Sequence, residues 1–505
     1  MPQHHATAPR GAESAPKSIF LEGRFGRMFR NLPSFEPDEN LLETVAGQML
    51  EPPDVGTSGE KEGDEELDGP IPAGFTYVGQ FIDHDITFDP VSSLQRLNDP
   101  DGLHDFRTPR FDLDALYGDG PNNNPFLYDP DVDGGKTTFL VGKNRNGEDD
   151  LPRNVVPDAP NGLPQGRALI GDPRNDENVI VGQLHLLFLK FHNKVVEHVR
   201  AEMPTLDGDD LFEEAQRRVR WHYQWIVVHD FLERIVGPDI IGNILFPDTF
   251  KVLGGQEVLI PRVHLQFYRW QHQPFMPVEF SVAAYRFGHS MIRPDYFLNG
   301  QTPEIPIFSP GDLGDEHQDL RGFRPLASQW TIDWSFFFES GDGANLQRAR
   351  RIDTLLADPL REVPATNEPH ALAERNLKRG AKLGLPSGQR VARAMAIERL
   401  TDDELGLTAI SEEFTESAPL WFYILREADN RAGGASLGPV GGRIVAEVLL
   451  GLLKGDAFSY ISVEPNWQPT LGSSAGRFTM ADLVLFTLGQ GEPPEPEPQP
   501  QPWQG

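Results

Sequence analysis

Apolar residues recur at helical spacing through most of the chain and alternate along it only in short pieces. Residues 178–201 (NVIVGQLHLLFLKFHNKVVEHVRA) are apolar on more than one side, which predicts a long buried helix. Residues 211–235 predict a second helix, stopped near Gly237 and Pro238. Shorter helices are predicted over 371–382, 391–400, 440–453 and 480–488. Strand-like alternation is confined to pieces such as 137–141 and 258–260. The expected class is therefore mainly α, with little β structure.

The interior carries no evident linker and no internal repeat, so one large domain over about residues 70–490 is the simplest organisation of the 505 residues. Residues 1–69 read as an N-terminal arm followed by an acidic loop. Lys61 is the single lysine among the twelve acidic side chains of residues 36–68. Residues 491–505 are Pro-rich and are expected to be extended and disordered.

Charge and composition then remove several classes of function. With 45 basic and 76 acidic side chains the net charge is −31, which argues against nucleic acid or an anionic membrane as a partner. Cysteine is absent. Disulfides, thiolate metal sites, iron–sulfur clusters and cysteine nucleophiles are thereby excluded, and any metal centre falls to His, carboxylate, Met or Tyr. No apolar segment follows the start, and the apolar run 445–453 (VAEVLLGLL) is too short for a bilayer. A soluble protein is expected, cytoplasmic or exported without a recognisable N-terminal signal. Oligomeric state is left open.

Five segments concentrate reactive side chains. In GQFIDHDITFDP (79–90), helical spacing puts Gln80 and His84 at i,i+4 on a face shared with Asp83, and turns Asp85 about 100° from His84. Taken alone, such a face is more often a satisfied polar helix surface than a reactive one. In RTPRFDLDALYG (107–118), Thr108, Asp112 and Asp114 alternate, so their oxygens can converge with the Arg110 carbonyl around a hard cation; the same loop also reads as a solvated helix cap. Arg174 and Glu177 precede the long apolar helix, where an arginine needs a partner. His185 and His192 share a face of that helix and read as hydrogen-bonding core residues. In AAYRFGHSMIRP (283–294), Gly288 before His289 lets something bulky come close, and Arg286 stands three residues earlier. Asn376 and Arg379 are i,i+3 in LAERNLKRGAKLGLP (372–386).

Taken together and in this order, the five segments resemble the animal-type haem peroxidases of the peroxidase–cyclooxygenase superfamily, most closely the bacterial members, over roughly residues 70–490. The resemblance implies one large helical domain that holds haem b and Ca²⁺. His84 matches the distal histidine, with Gln80 beside it, and Arg174 the distal arginine. His289 matches the proximal iron ligand and Asn376 the amide that accepts its other ring N–H. Arg286 and Arg379 match the arginines that pair with haem propionates. Asp83 and Glu177 match the carboxylates that form ester bonds to haem methyl groups. Asp85, Thr108, the Arg110 carbonyl, Asp112 and Asp114 match the calcium ligands. Asp114 stands where the family often has Ser, adding a negative charge. Asn178 stands where myeloperoxidase-type members carry the Met of a sulfonium link, so that link is not expected and chloride is expected to be a poor substrate.

The activity implied is oxidation of small donors (halides, thiocyanate or phenols) by hydrogen peroxide. A neutral histidine near pH 7 can move the peroxide proton, and an arginine can stabilise charge on the departing oxygen. The alternative within the superfamily is a fatty-acid dioxygenase of the cyclooxygenase type. That chemistry needs a tyrosine three residues before the proximal histidine, where this chain has Arg286, with Tyr285 one position away.

Overall fold

The computed structural model describes residues 23–51, 64–89, 98–154, 166–251, 257–309, 318–364 and 369–490. The expected tail at 491–505 and most of the expected arm at 1–22 lie outside the described residues. The eight longer helices are α1 (Glu39–Gly47), α2 (Gly74–Ile86), α3 (Val179–Glu202), α4 (Gly208–Ile226), α5 (Leu372–Lys382), α6 (Leu420–Ala432), α7 (Pro439–Gly455) and α8 (Met480–Thr487). The strands are short. Gly23–Gly26 is flanked by His104–Asp105 (antiparallel) and Met276–Pro277 (parallel). Asp68–Pro72 pairs with Arg348–Arg350, and the longest ladder is the hairpin of Leu245–Lys251 with Glu257–Val263.

The long apolar run forms α3, and Asn178 starts it by accepting the Val181 N–H at 2.8 Å. Helix α3 is wrapped by α2, α4 and α8, which is why it is buried on nearly every side. Phe81 of α2 stacks on Phe188 of α3 at 4.7 Å, and Tyr223 of α4 meets both rings edge-on. This contact fixes α2, with His84, against the loop that leads into α3.

Five elements differ from the periodicity reading. Residues 36–68 are not loop throughout: α1 buries Leu42, Val45 and Ala46, and Asp38 caps it, so its acidic side chains lie on a helix with an apolar inner face. The 211–235 helix changes to π geometry over Val227–Leu232 before ending at Gly237, whose φ of 78° stops it. The 391–400 helix lies instead at Gly388–Ala394, and Ala396 leaves it at φ 55°. A β-carbon on Gly388 would fall 2.0 Å from the Tyr423 ring, so that residue allows the close approach of α6. The 137–141 piece makes only one bridge, Tyr128 to Phe139, and the neighbouring strand is Gly142–Lys143. Helix α6 has no counterpart in the reading, although Pro419 before it and Gly433 after it are ordinary helix boundaries.

Candidate active site

Helix α2 carries Gln80, Asp83 and His84 on one side of its last two turns, with Asp85 turned away from His84. His84 and Asp85 are buried and Asp83 is half-buried. The His84 Nδ1 lies 2.7 Å from Asn175 Oδ1, and its Nε2 lies 3.8 Å from Glu177 Oε1. Burial first, and then the Arg174 charge, lower its pKa to about 4, so the ring is neutral at neutral pH.

Arg174 lies in the short 3₁₀ turn Pro173–Asp176. Its Nη2 donates to the carbonyls of His84 (3.0 Å) and Thr87 (2.7 Å), and Nη2 and Nε both donate to Asp172. The guanidinium lies over the Phe88 ring, 4.5 Å from its centroid. Nη1 is the nitrogen without a partner among the described residues. Asp172 is completely buried. Burial opposes its ionisation, but Arg174 and Arg107 outweigh this and hold its carboxyl well below the usual range. Gln80 donates to Glu177 and accepts from Asn178 at 3.1 Å. Burial pushes the Glu177 carboxyl up to about 7, against the pull of Arg174 and Gln80. Its side chain nonetheless stays 40% exposed, as a carboxyl lining an open crevice would.

His289 ends the 3₁₀ segment Ala284–His289, which packs on α2, α6 and α7. Asn376 of α5 is buried with its amide 2.7 Å from His289 Nδ1, and the same amide meets Arg286 Nη1 at 3.1 Å. Trp421 of α6 donates to the Arg286 carbonyl at 3.2 Å and stands across the His289 ring. Burial and the Arg286 charge lower the His289 pKa to about 3, leaving a neutral imidazole. Asp83 biases both His84 and Arg286 electrostatically.

A haem group fits these side chains. A β-carbon on Gly288 would meet no atom within 4 Å, so open space lies beside His289. The Arg286 guanidinium is lowered by burial and by the like charge of Arg379, against a weaker pull from Asp83 and Asp89, and no ion pair joins either arginine to a carboxylate among the described residues. Two neighbouring cations without an ion-paired carboxylate among the described residues, beside a neutral histidine, suit the carboxylate edge of a porphyrin.

The second cluster also forms. Asp85, Asp112 and Asp114 each offer an oxygen within 4.8 Å of the others. Among the described residues, both Asp85 oxygens and Asp112 Oδ1 are buried without a hydrogen-bond partner, and the buried Asp114 Oδ1 meets only the Arg107 guanidinium, at 3.4 Å. Burial, and then mutual repulsion with Asp112 and Asp114, push Asp85 well above the carboxylate range. The Thr108 hydroxyl donates to Asp112 at 2.9 Å, and its carbonyl accepts the Arg110 N–H at 2.8 Å. Arg110 turns its side chain to Asp456 at 3.7 Å. Leu113, at φ 57°, brings the two loop aspartates together. Such an all-oxygen set suits a hard cation.

A model of the family described as animal haem peroxidase matches residues 95–466. The chain belongs to the animal haem peroxidase family. It is 26% identical to Dual oxidase of Drosophila melanogaster over 294 residues, covering 56% of this chain and 17% of that protein. It is 25% identical to human Thyroid peroxidase over 311 residues, covering 57% and 30%. The chain spans less than a third of the length of these curated relatives. Among solved structures, Peroxidase A from Dictyostelium discoideum has the same fold, with TM-score 0.60 and 18% identity over 88% of this chain and 89% of that one. Within this animal haem peroxidase fold, the mainly helical class expected from periodicity holds.

Three polar residues outside the sequence reading belong to the site: Asn175 and Asp172, which hold His84 and Arg174, and Arg107, which reaches both Asp172 and Asp114 (Nη1 to Oδ1, 3.4 Å). Asp172 lies two residues from Arg174, which is the signal that would have found it. Arg107 opens the 107–118 segment but pairs across 65 residues, which no local pattern shows. His185 and His192 are hydrogen-bonding core residues: His192 joins the Tyr117 hydroxyl to the Thr137 carbonyl, each at 2.9 Å.

Proposed function

We propose that the protein is a haem peroxidase that uses hydrogen peroxide to oxidise small donors. The observation that carries this reading is the neutral, buried His84 beside an arginine that keeps one nitrogen, Nη1, unengaged. Haem b, when bound, supplies the redox equivalents for peroxide reduction. His289 would hold its iron through Nε2. With the Asn376 amide taken the other way round, Oδ1 would accept Nδ1–H and hold that tautomer at the loss of the Arg286 Nη1 bond, and Arg286 and Arg379 would pair with the propionates.

His84 then takes the proton from one peroxide oxygen at Nε2 and returns it to the other. Arg174 Nη1 stabilises negative charge on the departing oxygen, while Asp172 and the two carbonyls keep the guanidinium in place. Gln80, fastened at both ends, borders the same space. Asp83 and Glu177 stand to form ester links to the haem edge. Asp85, Asp112, Asp114, Thr108 and the Arg110 carbonyl would hold Ca²⁺, pinning the end of α2 next to His84.

A Soret band in the purified protein, with H₂O₂-dependent turnover of iodide, bromide, thiocyanate or a phenol, tests the main reading. No haem after reconstitution, or turnover of linoleate alone, would refute it. In the dioxygenase alternative a tyrosine would have to reach the site. Tyr285 instead packs against Phe280 (4.6 Å), Phe287 and Phe231. For the ester links, mass spectrometry of the polypeptide after brief H₂O₂ should show attached haem. Asp83→Val with Glu177→Gln should abolish it.

A further inference from the structure

His84 has two ring nitrogens, and only one tautomer leaves a lone pair on Nε2 to receive a peroxide proton. In water a neutral imidazole prefers the opposite arrangement, with hydrogen on Nε2, so something in the protein has to select. Asn175 meets the His84 Nδ1 with its carbonyl oxygen at 2.7 Å. The other end of that amide donates to His185 Nδ1 of α3 at 3.0 Å. All three side chains are buried, with exposures of 4%, 0% and 0% for His84, Asn175 and His185. The amide is thus engaged at both ends by rings on two different helices, and its own backbone N–H is bonded to the Asp172 carbonyl at 3.1 Å.

We propose that Asn175, oriented by His185, selects the His84 tautomer with hydrogen on Nδ1 and a free lone pair on Nε2, and so is the positioning residue of the distal base. The line runs His84 Nδ1–H to Asn175 Oδ1, then Asn175 Nδ2–H to His185 Nδ1. An amide serves here because it accepts from one ring and donates to the other without adding charge to the pocket. A carboxylate at 175 would still accept from His84 but would have no proton for His185. A leucine would do neither. This inference rests on His84 being the base, as proposed above.

The test is long-range ¹H–¹⁵N correlation on ¹⁵N-histidine-labelled, haem-loaded protein, reduced under carbon monoxide so that it is diamagnetic. The His84 signals are identified by their loss in His84→Gln. In the wild type we expect hydrogen on Nδ1 and an unprotonated Nε2. In Asn175→Leu the hydrogen should move to Nε2, and the reaction with H₂O₂ should slow about 10- to 100-fold, the usual scale for a lost ligand-orienting partner. Asn175→Asp should restore hydrogen on Nδ1 and recover most of the rate. Hydrogen on Nε2 in the wild type overturns the proposal without need of any variant, and so does an unchanged tautomer in Asn175→Leu. Wild-type peroxide reactivity in His84→Gln would instead refute His84 as the base and leave the tautomer result standing.

Discussion

The two histidine corners are built by different means. Around His84 the chain uses charge. Asp114, Arg107, Asp172 and Arg174 form an unbroken line from the carboxylate cluster to the distal arginine. Asp85, a member of the same cluster, directly follows His84. Around His289 the chain uses neutral contacts, one amide and one indole, and leaves two arginines without an ion-paired carboxylate among the described residues. The difference shows where each corner depends on something added. The proximal side has its protein contacts and lacks a counter-anion, whereas the distal side carries surplus buried negative charge that a cation would neutralise. Buried like charges are costly unless paired, so the distal corner should answer to ions and the proximal corner to haem.

The largest expected effect is at the neutral corner. His289→Ala should abolish stable haem retention, read as loss of the Soret band after gel filtration, because no other described side chain takes its place beside Asn376. A retained, active pigment would refute that assignment. Next, His84→Ala should keep haem yet slow the reaction with H₂O₂ by about 10² or more in stopped flow, the scale of a lost general acid–base. Together the two variants separate holding haem from using it.

Ion removal should act on the distal corner alone. Stripping the cation, or Asp112→Asn, should lower stability by about 3 kcal/mol, the cost of leaving buried charge uncompensated, and slow the peroxide reaction while the Soret band persists. Tight calcium is expected by metal analysis after mild dialysis. Its affinity should fall on acidification. Asp85 and Asp114 are raised by burial, so in the metal-free state they hold protons above the ordinary carboxylate range, and the ion must displace those protons. Affinity that rises as pH is lowered would contradict the site. Asn178→Ala should have the smallest effect, about 1 kcal/mol from the lost α3 cap in thermal unfolding. Efficient chlorination near neutral pH by the unaltered protein would show that the absent Met at 178 does not limit its oxidising power.

Much of this arrangement follows from local sequence. Gln80, His84 and Asp85 depend on helical spacing over a few residues, and the segment forms a helix to Ile86. The 107–118 alternation likewise places Asp112 and Asp114 side by side, because three residues of loop have few ways to run. The long apolar run can only be a buried helix, and it is. Periodicity failed where burial is one-sided or the cue is a single residue. The acidic α1 hides three apolar side chains behind charge, and α6 was not separated from its surroundings. What only the tertiary structure decided is the pairing of distant polar groups. Arg107 finds Asp172, Asn175 finds both His84 and His185, and Trp421 finds Arg286, each across tens of residues or between separate helices. A sequence fixes which groups carry charge or a proton and how near neighbours are spaced. Burial decides which of them must find partners, since an unpaired polar group costs little in water and much inside the protein.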